Sequence, residues 1–235
     1  MSLFPRLTML AASVMAASSV QAAPRKAPPA PVSAWAGKIS VTPAGGHIIG
    51  NPQAPQRLVE FMSYTCSHCA HFDRESAPLF LGPVPKGSVS FEVRHLLRDP
   101  IDATIAMLTN CVPPVRFAPL HHRFLADQEK WFAIAQKVTP EQTKRWNEGP
   151  MPQRMRLIAS DLKFYDIAAS AGLSRAQAEG CFANEAILRR LVAQTKQAGD
   201  LGFKGTPSFL LNEAVTDDHD WAGVQARLAA PKPAQ

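Results

Sequence analysis

The feature that most constrains the fold is a pair of cysteines, Cys66 and Cys69, at the junction of a predicted strand and a predicted helix. The apolar run at residues 58–62 predicts a buried strand, and residues 66–80 predict a helix with Cys69 and Phe72 on its core face. At such a junction the first sulfur lies near the unpaired N–H groups of the helix N-terminus, which stabilise a thiolate. The stretch therefore predicts a redox-active dithiol.

The composition of the 235-residue chain indicates a globular protein with a substantial core, since 46% of the residues are hydrophobic and 19% are charged. This length allows one large domain or a domain with a large insertion. The formal net charge is +6, but the basic residues are scattered, with no basic run and no patch interleaved with aromatic residues. We therefore expect no nucleic-acid binding.

The first 22 residues have the layout of a secretory signal peptide. Residues 1–6 carry one positive charge, residues 7–20 are apolar, and small residues precede a possible cleavage site after Ala22. A buried helix is the alternative, but the Pro- and Ala-rich residues 23–31 would continue it poorly, and 14 residues are fewer than the roughly 20 that span a bilayer. We expect an exported, soluble periplasmic protein whose mature chain begins near Ala23.

Four cysteines in an exported protein favour disulfides. The short spacing selects Cys66 and Cys69 as one pair, which leaves Cys111 and Cys181 either as a second pair or as two buried free thiols. A zinc site is the competing interpretation, but Cys111 and Cys181 each lack the closely spaced partner that a structural zinc site normally needs. The sequence therefore favours redox chemistry over metal binding at these cysteines.

Histidines offer further candidate metal ligands. His68 and His71 lie close to the dithiol and could complete a zinc site there. His121 and His122 are adjacent on a predicted helix, where neighbouring side chains point about 100° apart and rarely share a metal. We expect this pair to lie on a helix surface or edge, and we expect neither a metal nor a cofactor.

The pattern of elements along the chain is strand, dithiol helix, strand, helical block, strand and helix. Breaks at Pro113-Pro114, Gly149-Pro150 and Gly172 divide the helical block, and Pro207 opens the last long strand. Strands are predicted at 38–41, 47–49, 57–62, 89–97 and 206–212. Helices are predicted at 66–80, 101–111, 117–125, 131–137, 156–171, 175–201 and 218–228.

This order of elements resembles the thioredoxin superfamily and, within it, the DsbA-like thiol–disulfide oxidoreductases. The resemblance depends on the motif Cys66-Ser67-His68-Cys69, on the segment Gly-Phe-Lys-Gly-Thr-Pro at 202–207, and on the helical insertion between them. It implies an α/β thioredoxin fold with a large all-helical insertion. The predicted organisation is a signal peptide at 1–22, a Pro-rich linker at 23–34, a thioredoxin-like domain at 35–99 and 202–235, and the helical insertion at 100–201.

The resemblance also implies roles for five residues. Cys66 would be the exposed nucleophile, and Cys69 would be the buried resolving cysteine. His68 would lower the pKa of Cys66 further. Glu60 would be the buried acid beneath the dithiol that exchanges a proton with Cys69, and Pro207 would be the cis-proline that faces the dithiol.

The same resemblance implies which residues contribute to substrate binding and to stability. Thr206 would present its backbone to a substrate strand. Ser67 and Thr206 stand where the best-known members carry proline and valine, so the two positions that tune potential and partner choice are both altered. Cys111 and Cys181 match cysteines of one branch of the family, which implies a structural disulfide.

The predicted function is introduction of disulfides into reduced or unfolded substrate proteins, with a redox partner that re-oxidises the dithiol. The alternatives are a disulfide isomerase or reductase on the same scaffold and a redox-inert binding protein. Thr206 is similar to the residue of the isomerases, but those resemble V-shaped dimers with a separate dimerisation domain. The roughly 35 residues at 23–57 are too few for such a domain, so we expect a monomeric oxidase.

Overall fold

The computed structural model describes Met1 and residues 34–230. The predicted signal peptide apart from Met1, and the predicted linker apart from Ala34, lie outside the described residues. Every strand and helix within residues 34–230 belongs to one compact unit. No helix among the described residues combines the length and the apolar character needed to cross a membrane.

The sheet within residues 34–230 has six strands in the spatial order β1-β2-β4-β3-β5-β6. Strands β3 and β4 are parallel, and each of the other neighbouring pairs is antiparallel. The strands are β1 (Ile39–Val41), β2 (His47–Gly50), β3 (Gln56–Met62), β4 (Val89–His95), β5 (Ser208–Leu211) and β6 (Ala214–Val215). This mixed sheet with helices confirms the predicted α/β thioredoxin fold.

Three helices connect β3 to β4, eight connect β4 to β5, and one follows β6. The first group is α1 (Ser67–Glu75), α2 (Ala77–Leu81) and α3 (Pro83–Lys86). The helical layer, as we call residues 100–200, comprises α4 (Pro100–Thr109), α5 (Pro114–Ala126), α6 (Gln128–Ala135), α7 (Pro140–Asn147), α8 (Met151–Asp161), α9 (Phe164–Ser170), α10 (Arg175–Cys181) and α11 (Glu185–Asp200). The last helix is α12 (Trp221–Ala229).

Three of the predicted helices were too long, because each is interrupted. The segment 66–80 breaks at Ser76, ahead of Pro78, which cannot donate a backbone hydrogen bond. The segment 156–171 breaks at Lys163, whose φ of 63° is left-handed. The segment 175–201 breaks before Asn184, whose side chain accepts from two N–H groups and so begins a new helix.

Helix α7 was not predicted, although its start carries a clear signal. Thr139 and Gln142 form a capping box, and Pro140 occupies the first turn, where its missing N–H costs nothing. The helix is polar along most of its length, with Trp146 as its buried residue. Apolar periodicity alone therefore could not detect it.

One large cluster of buried residues joins the sheet to the helical layer. Leu58 and Met62 of β3 belong to the same cluster as Phe117 of α5 and Ile158 of α8. The opposite face of β3 contributes to a smaller cluster, which includes Phe61 and Ala198 of α11. The helical layer thus shares its core with the sheet.

A disulfide connects Cys111, just after α4, to Cys181 at the end of α10, with an S–S distance of 2.03 Å. It closes a loop of 70 residues entirely within the helical layer. Cys181 is itself buried among the core residues. The bridge therefore fixes two distant helices of this layer to each other.

Candidate active site

Two neighbouring strands bring the segments of the dithiol site together. Strand β5 runs antiparallel to β3, so that Ser208 at the start of β5 pairs with Phe61 near the end of β3. The loop before β5 therefore meets the chain that leaves β3. As a result the Cys66 thiol donates a hydrogen bond to the carbonyl oxygen of Thr206 over 3.1 Å. The Thr206–Pro207 peptide bond is cis.

Cys66 is the N-cap of α1, with extended backbone and no side-chain cap. Its sulfur lies against the backbone N–H groups of His68 and Cys69. The hydrogen bond from the Cys69 thiol is the largest cause that lowers the pKa of Cys66 to about 4, and contacts with Thr206 and these N–H groups add to it against the effect of burial. These donors favour the thiolate of Cys66, and the hydrogen bond to the Thr206 carbonyl belongs to its protonated form.

The pKa of Cys69 moves in the opposite direction. Its side chain is fully buried, and burial raises the pKa well above its ordinary value, helped by the hydrogen bond to Cys66 and, when Glu60 is ionised, by the charge of that carboxylate. Two thiols with pKa values moved apart are suited to different roles, a nucleophile and a proton-bearing partner.

The expectation that Cys66 is exposed was wrong. Only 4% of its surface is accessible, because the Thr206 loop and α1 cover the sulfur. The two residues after it, Ser67 and His68, are exposed. The site thus reaches solvent beside the first turn of α1, and the contact of His68 with the sulfur is through its backbone N–H.

Glu60 lies beneath the dithiol on β3. Alternation along the strand puts it on the same face as Leu58 and Met62, which share a cluster with Cys69. It is 2% exposed, and its Oε1 has no hydrogen-bond partner. Burial raises its pKa well above the ordinary value, and the charges of Asp73 and Cys66 raise it further, so the protonated carboxyl is favoured.

Asp102 of α4 holds the turn that leads into the dithiol, a contact that the sequence analysis did not predict. Its carboxylate accepts from the Ser63 hydroxyl over 2.6 Å, from the Tyr64 N–H over 2.8 Å and from the Arg98 N–H over 3.0 Å. Burial raises the pKa of Asp102 to about 7, against the lowering effect of these three hydrogen bonds. A buried carboxylate from the helical layer thus fixes the backbone conformation of the turn that precedes Cys66.

Gln128, at the start of α6, holds the same turn from another side. Its buried amide donates to the carbonyl oxygens of Tyr64 and Cys66, over 2.6 and 2.9 Å. Nothing in the local sequence marks this glutamine, because its partners lie more than 60 residues earlier. Beside it a groove of about 310 Å³, lined by Thr65, Ser67 and Phe132 among others, opens next to the dithiol.

The Cys111–Cys181 disulfide agrees with the predicted second pair and not with a zinc site, whereas the histidines lie partly elsewhere than predicted. Cys111 and Cys181 are bonded to each other, and the exposed His71 contacts Glu75 over 3.3 Å. His121, expected on a helix surface or edge, is instead buried in the core, while His122 is partly exposed. Both face Asp73 of α1, a residue that the sequence analysis did not single out.

Comparisons with known proteins bear on the family and the fold of this chain. A family model described as Thioredoxin matches residues 42–230. Two curated relatives, from Rickettsia typhi and Rickettsia conorii, carry names that describe them as protein-disulfide oxidoreductases. They are 25% and 26% identical over 175 residues, which cover 73% of this chain and 56% and 55% of theirs. The chain thus spans about half the length of the curated relatives it matches.

Solved structures show the same architecture. The crystal structure of a protein-disulfide isomerase from Novosphingobium aromaticivorans is 44% identical, with a TM-score of 0.74, and the match covers 79% of this chain and 98% of that one. The alpha-DsbA1 protein of Wolbachia pipientis is 18% identical with a TM-score of 0.61, covering 80% of this chain and 91% of its own, and it supports the fold alone.

Proposed function

The chain belongs to the thioredoxin family, and from this premise we propose that it is a thiol–disulfide oxidoreductase that introduces disulfides into substrate proteins. The observation that carries the proposal is the opposed pair of thiols, with the pKa of Cys66 at about 4 and that of Cys69 well above its ordinary value. The names of the curated relatives and of the isomerase structure support the same class of reaction.

In the proposed reaction the dithiol begins as a Cys66–Cys69 disulfide. A substrate thiolate attacks the Cys66 sulfur, a mixed disulfide forms, and the electron pair of the broken bond goes to Cys69. Glu60 gives this buried sulfur a proton, since its raised pKa favours the protonated carboxyl. A second substrate thiolate then attacks the substrate sulfur of the mixed disulfide and releases Cys66 as a thiolate.

The stabilised thiolate makes the oxidised enzyme a stronger oxidant. A pKa of about 4 lies about 3 pH units below pH 7, and this difference sets how strongly the reduced enzyme is stabilised relative to one whose Cys66 stays protonated. This is worth about 4 kcal/mol, which for a two-electron couple corresponds to about 90 mV toward oxidation. The direction of this effect supports a donor of disulfides rather than a reductase.

Substrate binding is proposed at the exposed side of the site. The Thr206 loop would pair its backbone with an extended substrate segment. Ser67 lines the groove beside the dithiol and would contact the residues that flank the substrate cysteine. The partners would be reduced or unfolded proteins and a redox protein that re-oxidises the dithiol, with this chain acting as a monomer.

The ultraviolet absorbance of the Cys66 thiolate tests the proposal. We expect reduced protein to titrate near pH 4, with a redox equilibrium against glutathione that favours the reduced enzyme. Cys69→Ala removes the largest cause of the low pKa and should raise it, whereas Cys69→Ser keeps a hydroxyl donor and should raise it less. An ordinary thiol titration near pH 9 would instead support a redox-inert binding protein.

Disulfide isomerisation is the second candidate. It is favoured by the name of the isomerase structure at 44% identity and by Thr206 before Pro207. Two assays on one preparation separate the candidates: oxidation of a reduced peptide with two cysteines, and recovery of a scrambled multi-disulfide protein. We expect fast oxidation and slow recovery, and a stable dimer with fast recovery would reverse the assignment.

Export to the periplasm is the last part of the proposal. A disulfide between Cys111 and Cys181 is the type of bond that persists in oxidising compartments, which supports an extracytoplasmic site of action. Cell fractionation with N-terminal sequencing should find a mature chain that begins near Ala23. Full-length protein in the cytoplasmic fraction would contradict export.

A further inference from the structure

Three side chains outside the dithiol converge between α1 and α5, and we propose that they bind a divalent transition-metal cation of the zinc class. The residues are Asp73 of α1 and the adjacent pair His121 and His122 of α5. One ligand atom from each lies within 4.8 Å of the other two. This cation site goes beyond the proposed redox function, because none of its ligands takes part in thiol exchange.

The distances suit a small cation. His122 Nδ1 lies 2.5 Å from Asp73 Oδ1, and His121 Nε2 lies 3.9 Å from the same oxygen. Zinc bonds of 2.0–2.2 Å in tetrahedral geometry separate neighbouring ligand atoms by about 3.4 Å. The two distances bracket that value, and the third, between the ligand nitrogens of His121 and His122, is no more than 4.8 Å, so small side-chain shifts would close the site around an ion.

His121 supplies the strongest indication that the cluster is more than an ion pair. Its side chain is 2% exposed, yet Nε2 points toward Asp73 from beyond hydrogen-bonding distance. The other ring nitrogen, Nδ1, is 2.9 Å from the Tyr64 hydroxyl. Metal-binding histidines normally anchor the second nitrogen in this way, which fixes the ring and directs the free nitrogen at the metal.

The helices explain why adjacent histidines can share an ion here. Asp73 approaches from α1 between the two rings, whose centroids are 5.4 Å apart with planes at 61°. His121 and His122 point in different directions, but the Asp73 carboxylate from a second helix lies near both rings. Two imidazoles and one carboxylate are ligands of the type that zinc and related first-row cations bind.

Access to the site and an open coordination position come from the solvent side. The His122 side chain is 39% exposed, whereas that of Asp73 is 13% exposed, so an ion can enter past His122 and keep one water. When the ion binds, it replaces the hydrogen between His122 Nδ1 and Asp73, and the imidazole carries its proton on Nε2. The cluster thus offers three protein ligands and one exchangeable position.

Calorimetric titration with Zn²⁺ and visible spectroscopy with Co²⁺ test the proposal. Both use the full chain carrying Cys66→Ser and Cys69→Ser, so that the dithiol cannot chelate the ion. We expect one ion per chain and a four- or five-coordinate Co²⁺ spectrum. His122→Ala and Asp73→Asn should each weaken Zn²⁺ binding at least tenfold, and Tyr64→Phe should weaken it through loss of the anchor on His121.

The matched control is His71→Ala, which removes an exposed histidine from the same helix as Asp73. It should leave the affinity for Zn²⁺ unchanged. Circular dichroism checks that each variant is folded. Because His122 is partly exposed, His122→Ala is the variant least expected to unfold the protein. No saturable Zn²⁺ binding, or binding that persists undiminished in both His122→Ala and Asp73→Asn, would overturn the proposal.

Discussion

Replacing the buried His47 should change how stability depends on pH. His47 of β2 is 3% exposed, its ring lies flat on Phe117 with centroids 3.7 Å apart, and Nδ1 has no hydrogen-bond partner. Burial, together with the smaller effect of the nearby Arg190 charge, lowers its pKa from 6.5 to about 4. His47→Phe keeps a flat ring in the stack and removes the titrating group.

The sign of the effect follows from proton binding. Below pH 6.5 the unfolded chain binds a proton at His47 that the folded chain binds only near pH 4, so acid stabilises the unfolded state. The free energy of unfolding should therefore fall by about 1.4 kcal/mol per pH unit in this window. The loss from this residue reaches about 3 kcal/mol at pH 4 and is absent above pH 6.5, where both states are neutral.

Urea unfolding at several pH values between about 7.5 and 4 measures this directly. The curve of free energy of unfolding against pH should be shallower for His47→Phe than for the wild type, by about 3 kcal/mol over the range. Some slope remains, because burial also lowers the pKa of His95 and of His121. Parallel curves for His47→Phe and the wild type would refute the reasoning.

Three further predictions concern the dithiol and its supports. Glu60→Gln should slow single-turnover oxidation of a substrate peptide by about 10²-fold, because the leaving Cys69 thiolate loses its proton donor; an unchanged rate would remove Glu60 from the mechanism. Asp102→Ala leaves the N–H groups of Tyr64 and Arg98 without an acceptor, while the Ser63 hydroxyl can still donate to Thr65, so urea unfolding should show a loss of about 2 kcal/mol or more; a loss below about 1 kcal/mol would contradict the importance of the turn. Cys111→Ser with Cys181→Ser opens a loop of 70 residues and should destabilise the fold by about 4 kcal/mol without changing the dithiol equilibrium.

The fold and the centre of the site could be predicted because their signals are local. Cys66 and Cys69 lie three positions apart, and the apolar run before them predicts a strand whose observed range, Gln56–Met62, differs by one residue. The family resemblance on these residues and on the segment ending at Pro207 was sufficient to predict the thioredoxin fold, which the structure and the family match confirm.

Contacts across the fold could not be predicted in the same way. The amide of Gln128 reaches Cys66 across 62 positions, and Asp73 reaches His122 across 49, without any periodic pattern that links them. The burial of Cys66 likewise depends on Thr206, 140 positions later. Helix interruptions at Lys163 and Asn184 were missed because apolar periodicity continues across both breaks.

The residues that hold the turn at 63–65 make the reactivity of Cys66 depend on the folding of the helical layer. Asp102 and Gln128, which hold this turn, both belong to the helical layer rather than to the sheet that carries the cysteines. If these helices open while the sheet persists, the turn loses its anchors and the Cys66 sulfur leaves the environment that makes it a thiolate. A partly unfolded molecule would then carry two cysteines without a stabilised thiolate. Its dithiol would be a weaker oxidant, so unfolding of the helical layer would lower the reactivity of the protein.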